Sequence, residues 1–253
     1  EKSIASAVVY ALNHHPGDLL VFLPGEGEIR RAMAELESVF PDAAEQHLLF
    51  LPLYGNLSEA GQDRALAPAP EPFRKVILST PVAESSVTVP GVRIVIDSGW
   101  MRVPRFSPAS AMNKLETVRI PLASADQRRG RAARTGPGLC IRLWSQAEEH
   151  GFARFGTPEI LEADLASFSL ELANWGLIPD TAGSLRWLDP PPRAKLDQAF
   201  ELLGSLGAVD PQNLRLTPHG RLLLKRPMHP RLAHMISCAE KLHVPALGCA
   251  LAA

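Results

Sequence analysis

The run Asp18-Leu-Leu-Val-Phe-Leu-Pro-Gly-Glu-Gly-Glu-Ile-Arg30 decides the fold. The apolar stretch Leu19 to Leu23 is too short for an ordinary helix and shows no polar alternation, the pattern of a strand buried on both faces. Pro24, Gly25 and Gly27 then break the chain, and Ile29, Met33, Leu36 and Phe40 recur at helical spacing, giving strand, turn and helix. Upstream, Ile4, Val8, Ala11 and Leu12 make another helical stripe. Downstream, a strand at Leu48 to Leu53 leads through Tyr54-Gly-Asn-Leu-Ser58 into a helix for which Ser58 is the natural cap. Strands follow at Val76 to Ser79 and Val92 to Asp97, then a proline-punctuated insertion, an arginine-rich helix and a closing strand at Leu139 to Leu143. Strands alternating with helices predict an α/β domain over residues 1–150, with a mainly parallel sheet covered by helices on both faces. Ligands of such sheets sit at the carboxyl ends of the strands, where Pro24, Thr80, Gly99 and the loop before Gln127 fall.

Beyond Gly151 the periodicity is helical. Leu161, Leu165, Phe168, Leu172 and Trp175 predict one apolar stripe, and Leu196, Phe200, Leu203 and Leu206 a second, while Leu214 to Thr217 reads as a short strand. The stretch from Arg231 to Ala253 reads as the opening of a further helical domain with apolar residues left partly uncovered, which predicts disorder or crystal contacts there.

Chemistry concentrates in Gln127-Arg-Arg-Gly-Arg-Ala-Ala-Arg134. If this run is helical, Gln127, Arg131 and Arg134 stand about one turn apart on one face, with Arg129 off it and Gly130 leaving room for a ligand or a backbone. Guanidinium groups stay charged and offer forked donors that match phosphate oxygens, so a polyphosphate or a nucleic-acid backbone is the partner that fits. The bland alternative is a solvated basic face.

The same run resembles the sixth motif of superfamily 2 helicases. Leu20-Val-Phe-Leu-Pro-Gly-Glu-Gly-Glu-Ile-Arg30 resembles the fourth motif of their DEAH-type branch, and Val76-Ile-Leu-Ser-Thr-Pro-Val-Ala-Glu-Ser-Ser-Val-Thr-Val89 with Val95-Ile-Asp-Ser-Gly99 resembles the fifth, in the expected order. Pro158-Glu-Ile160, Leu188-Asp-Pro-Pro191, Leu206-Gly-Ala-Val209, Leu216-Thr-Pro-His-Gly220 and His229-Pro-Arg-Leu232 resemble segments C-terminal to the motor in these enzymes, and Leu115 to Ile120 leans toward the bacterial HrpB-like members. The resemblance implies a RecA-like second motor domain over 1–150, a winged helix over 151–226 and the start of a ratchet-like helical domain over 227–253. It also implies that Gln127, Gly130, Arg131, Arg134 and Leu66 face ATP, Arg131 and Arg134 as arginine fingers with Gln127 beside them. Pro24, Gly25, Arg30, Gly55, Asn56, Ser79 and Thr80 would grip single-stranded RNA or DNA, and the insertion Met101 to Val118 would form a strand-separating β-hairpin. No Gly-x-x-x-x-Gly-Lys-Ser/Thr loop and no Asp-Glu-x-His run occurs. ATP and its magnesium are therefore expected to be held mainly by a first motor domain, which would be a partner of this chain within the same protein. Pro81 replaces the usual Asn and Ser85 the usual Thr of the fifth motif, and Ala133 replaces the second glycine of the sixth.

The formal net charge of −1 excludes a globally basic nucleic-acid surface, so binding must come from local patches. Cys140, Cys238 and Cys249 are odd in number and lack metal-ligand spacing, which suits incidental thiols in a reducing, cytoplasmic compartment. No bound metal, signal peptide or membrane span is expected. Two other readings stand beside the helicase: a non-catalytic nucleic-acid-binding scaffold, and a nicotinamide-dependent α/β enzyme, the latter weakened because Gly25 and Gly27 lack a third glycine opening the helix.

Overall fold

A computed structural model of the chain describes residues 4–85, 88–107, 112–134 and 136–252. Ser86 and Val87 of the fifth-motif stretch, and the tip of the 101–118 insertion, lie outside the described residues. The chain divides into two compact units, residues 1–104 with 115–156, and residues 105–114 with 157–253.

The first unit runs α1 (Ile4–His14), β1 (Asp18–Phe22), α2 (Glu26–Val39), β2 (Leu48–Leu53), α3 (Glu59–Leu66), β3 (Arg74–Ser79), α4 (Val82–Ser85) and β4 (Val92–Asp97). The insertion forms a separate two-stranded sheet of β5 (Trp100–Ser107) and β6 (Met112–Arg119), followed by α5 (Leu122–Gly130), β7 (Leu139–Arg142) and α6 (Gln146–Glu149). The main sheet has the order β2-β3-β1-β4-β7 and every pairing in it is parallel. Because side chains alternate along a strand, β1 feeds two cores. Leu19 and Val21 pack with Val8, Ala11, Ile29 and Leu36 from α1 and α2, while Leu20 and Phe22 pack with Ala65, Ala83 and Ala132 on the opposite face. Complete burial of each such side chain stabilises by about 1.5–3 kcal/mol, which is why the unbroken apolar run sits at the centre of the sheet.

Two cations at the start of β3 close helix ends. Arg74 donates to the carbonyls of Leu12 in the last turn of α1 and of His15 and Gly17 after it, and buried Lys75 donates to those of Ala65 in the last turn of α3 and Ala67 after it. They satisfy acceptors that a helix terminus leaves open. At the other end of α3, the Ser58 hydroxyl accepts from the Gly61 amide, the expected cap.

The second unit carries α7 (Glu159–Glu162), α8 (Ala166–Asn174), α9 (Arg193–Ser205), α10 (Pro218–Leu224), α11 (Pro230–Lys241) and α12 (Pro245–Ala252). Its core gathers Leu170, Leu172, Leu196, Phe200, Leu203, Val209, Leu223 and Ala233. The single stripe expected from Leu161 to Trp175 is two helices. The break falls at Ala163 and Asp164: α7 ends at Glu162, and Asp164, one residue before the Leu165 N-cap of α8, accepts the Ala166 amide at 2.8 Å. Trp175 does not join the core: α8 ends at Asn174, Gly176 reverses the chain at φ +79°, and the indole is 66% exposed. The expected strand at Leu214 to Thr217 reduces to one antiparallel bridge between Val209 and Leu216. Residues 230–252 carry two helices, and Leu242 at the end of the first and Leu247 and Leu251 on the second are exposed, the uncovered apolar residues expected there.

Candidate functional site

α5 and the turn after it bring the arginine run against the segment that follows β3. Arg128 is completely buried. Its guanidinium donates to Asp97 Oδ1 at 2.8 Å and Glu84 Oε2 at 3.0 Å, and lies 4.9 Å from the Phe22 ring centroid. Asp97 ends β4 on the same face as Val95, and its Oδ1 also accepts the Gly99 amide at 3.0 Å. Burial pushes the Asp97 carboxyl above its ordinary value, with the Arg128 charge and the Gly99 N–H opposing.

Arg131 is also buried, at 8% exposure, and donates to the Glu84 carbonyl oxygen. Arg134 is exposed and donates to Thr88 Oγ1. Gln127, Arg129 and Gly130 are exposed, and nothing lies within 4 Å of where a Cβ on Gly130 would stand, so the room expected there exists. The common helical face expected for Gln127, Arg131 and Arg134 does not form as such. α5 ends at Gly130, Arg131 is its cap, and residues 131–134 are turns, so Arg134 is carried by a turn and its direction is set by Thr88. The helix stops there because Ala132 is drawn into the core under the sheet, and because Ala132 and Gly138 approach too closely for any side chain at Gly138.

The residues expected to face a strand come from three adjacent strand ends. Leu23 N donates to Ser79 O at 2.8 Å and Thr80 N to Leu53 O at 3.1 Å, which ties the loops after β1, β2 and β3 together. Gly55 and Asn56 are exposed on the turn after Tyr54, and the exposed Arg30 pairs with Glu26. Thr80 is half-buried. Three of the set are not open. Pro24 and Gly25 are buried, Gly25 beneath the guanidinium of Arg102, which pairs with Glu28 at 3.2 Å. Ser79 is buried and its hydroxyl donates to the Thr80 carbonyl at 2.8 Å. Leu66, expected to face ATP, packs against the core beneath α3 while remaining partly exposed.

Sequence reasoning missed Arg128, Asp97 and Glu84 as a unit. The signal was present: Arg128 lies one helical turn after Ala125, which puts it on the buried face of α5, and Asp97 falls two residues after Val95 on an inward face. A buried cation facing a buried carboxylate is what such a coincidence requires. The cysteines are not part of the site; burial pushes the Cys140 thiol up to about 11, so it stays protonated. Among the described residues no cluster of His, Cys, Asp or Glu could hold a metal ion, and no helix is long and apolar enough to cross a membrane.

The five-stranded parallel sheet with helices on both faces is the α/β, RecA-like fold expected from the sequence. The helicase conserved C-terminal domain family matches residues 3–136, and the chain belongs to it. Within that family it is of the DEAH type and HrpB-like. It is 38% identical over 240 residues to "ATP-dependent RNA helicase HrpB" of Escherichia coli (strain K12), covering 95% of this chain and 29% of that protein. It is 39% identical over 221 residues to "Probable ATP-dependent RNA helicase DHX34" of Homo sapiens, covering 87% of this chain and 19% of that protein. A crystal structure of Escherichia coli DEAH/RHA helicase HrpB superposes with a TM-score of 0.83 at 40% identity, over 93% of this chain and 29% of the other. The chain thus spans less than a third of the length of these relatives.

Proposed function

We propose that this chain is the second motor domain and the helical region after it of an ATP-dependent RNA helicase. In this reading Arg131 and Arg134 are arginine fingers for the terminal phosphates of ATP held by a first motor domain of the same protein, with Gln127 beside them. Charge developing on the γ-phosphate oxygens is stabilised by those guanidiniums. The donors available from Gln127, Arg131 and Arg134 suit a phosphate anion and not a cation, so magnesium would be held by groups outside this set. Arg30, Gly55, Asn56 and Thr80 offer the open contacts to a single strand of RNA or DNA, while Pro24, Gly25 and Ser79 shape the backbone around them. Such contacts to phosphate and sugar carry no base information, so binding is expected to be sequence-independent and salt-sensitive.

The observation that carries the reading is the double hold on Glu84. Its carboxylate accepts from Arg128 and its carbonyl from Arg131, and it lies four residues after Thr80. Loss of phosphate from the arginines would therefore be felt directly by the loop that faces the strand, which is what coupling hydrolysis to movement needs. The test is RNA-stimulated ATP turnover of the full-length protein. Arg131→Ala and Arg134→Ala, each checked by thermal melting for an intact fold, are expected to lower turnover about 10³-fold or more. Lysine at either position should rescue poorly, since a point charge lacks the fork, and Arg129→Ala should stay within a few-fold of normal. The 253-residue chain alone is expected to be inactive. Near-normal rates for both alanine variants alongside a large loss for Arg129→Ala would overturn the assignment.

A further inference from the structure

Charge is segregated within the second unit in a way its balance conceals. Between Pro211 and Ala239 the sequence holds Arg215, Arg221, Lys225, Arg226 and Arg231 and no Asp or Glu. Arg226 is paired with Glu240 at 2.6 Å. Arg215 and Arg221 have no such partner: both are exposed, and among the described residues neither guanidinium meets a carboxylate or a hydrogen-bond acceptor. Both line one open cavity of about 450 Å³, together with Asn174, Gly176, Ile178 and Leu216. Trp175, 66% exposed, stands in sequence between the lining residues Asn174 and Gly176.

The rim of this cavity is built stiffly. Leu214, a lining residue, sits at φ +57°, a conformation that costs a branched side chain about 1–3 kcal/mol unless its surroundings hold it. They do: Leu214 N donates to Asp210 O at 2.7 Å, Arg215 O accepts Asp210 N at 2.9 Å, and Asn213 Oδ1 accepts Arg215 N at 2.9 Å. Asp210 also accepts from the Gln212 amide and the Asn213 side chain. Arg221 is fixed from the other side, because Thr217 caps α10 through Gly220 N at 3.0 Å while its hydroxyl donates to Gly207 O at 2.7 Å. Two unpaired guanidiniums and a side-chain amide line the cavity on a pre-set frame, and an exposed indole neighbours two lining residues in sequence: donors and a stacking surface that suit single-stranded polynucleotide.

We propose that this cavity is an auxiliary single-stranded RNA site of the second unit, in which Arg215 and Arg221 grip backbone phosphates and Trp175 stacks on a base. It rests on the proposed function only for the choice of RNA as the polymer, since the site itself is remote in sequence from the arginine run and the strand-end loops.

The test uses the 253-residue chain with a fluorescein-labelled oligouridylate of twelve nucleotides, read by anisotropy, and with unlabelled oligouridylate read by tryptophan emission. Arg215→Ser with Arg221→Ser is expected to weaken binding tenfold or more at low salt and to flatten the slope of log affinity against log salt by about 1.4, the loss of two phosphate contacts on a single strand. Trp175→Leu is expected to abolish the quench that the oligonucleotide produces in the parent while changing the salt slope little. Unchanged affinity and slope in the double arginine variant, with melting curves showing it folded, would overturn the site. So would a loss matched by inorganic pyrophosphate competing as well as the oligonucleotide, since that marks a simple anion pocket. Arg131→Ala in the same assay separates the two readings: it should leave the tryptophan quench intact, whether or not the full-length protein proves to be an RNA-stimulated ATPase.

Discussion

At the residue scale, Arg128 is the side chain on which the most depends. Of the four arginines in the run, Arg129 and Arg134 are exposed and Arg131 is buried against the Glu84 carbonyl, while Arg128 is wholly enclosed, facing the carboxylates of Asp97 and Glu84. Taking two charges out of water is unfavourable, and this is offset by close geometry and by the Gly99 amide, which donates to the same Asp97 oxygen. Removing one partner leaves the other charge uncompensated in the core. Arg128→Met is therefore expected to destabilise the first unit by about 3–5 kcal/mol, measured by urea denaturation. Arg128→Met combined with Asp97→Leu should recover part of that loss, and additivity of the two single losses would show that the pair does not act as one unit. Residue types and spacing made the cation and the acid legible in the sequence; that they meet across a separation of 31 residues was not, because strand register and helix docking set that distance.

At the element scale, helix ends decided what periodicity could not. The run 127–134 and the run 161–175 both scan as continuous helices, and both stop early, one at the Gly130–Arg131 cap and the other at Asp164. Local propensity scarcely distinguishes these positions; the competing pull of a core on Ala132 and of the Asp164 carboxylate on the Ala166 amide does. Two glycines offer a contrast that tests this. A Cβ on Gly220 in α10 would overlap the Ala208 carbonyl oxygen and Leu216 Cδ1, so Gly220→Ala is expected to destabilise the second unit by about 1–3 kcal/mol. Gly130 meets nothing within 4 Å and closes a helix, so Gly130→Ala should be neutral or stabilise by about 0.5–1 kcal/mol. Thermal melts of the two variants should move in opposite directions, and equal shifts would refute the packing argument.

At the scale of the whole molecule, acid is expected to loosen the second unit before the first. Burial, with the charges of His234 and Lys241, holds His219 below its ordinary value, and its Nε2 stands 2.9 Å from His234 Nδ1. The unfolded chain then takes up a proton near pH 6.5 while the folded chain does not. Stability should be complete above that pH and fall as the pH drops through about 6.5 toward the folded value. A second loss belongs to Asp164. Burial alone would raise its carboxyl, but hydrogen bonds from His229 and the Ala166 amide, with the charges of His229 and Arg231, hold it below the ordinary value. Its contribution is present above about pH 3.9 and is lost as the pH falls through the folded value. Urea midpoints at about pH 7.5 and about pH 5.5, on either side of the ordinary histidine value, should differ in the parent and converge in His219→Gln; an undiminished difference in that variant would place the acid sensitivity elsewhere.

The sequence by itself determined the order of strands and helices in the first unit, the buried centre at Leu19 to Phe22, the Ser58 cap and the membership in a helicase family, because each of these is written in neighbouring residues: an apolar run, a period, a cap, a motif. The tertiary structure alone decided that Arg128 turns inward to Asp97 and Glu84, that Arg134 stands on a turn beside Thr88, that Gly25 lies under Arg102, that Trp175 is left bare, and that Arg215 and Arg221 share one cavity. Those outcomes depend on which distant residues the register of five parallel strands and the docking of α8 on α9 bring within a few ångströms, and no window of sequence contains both members of such a pair.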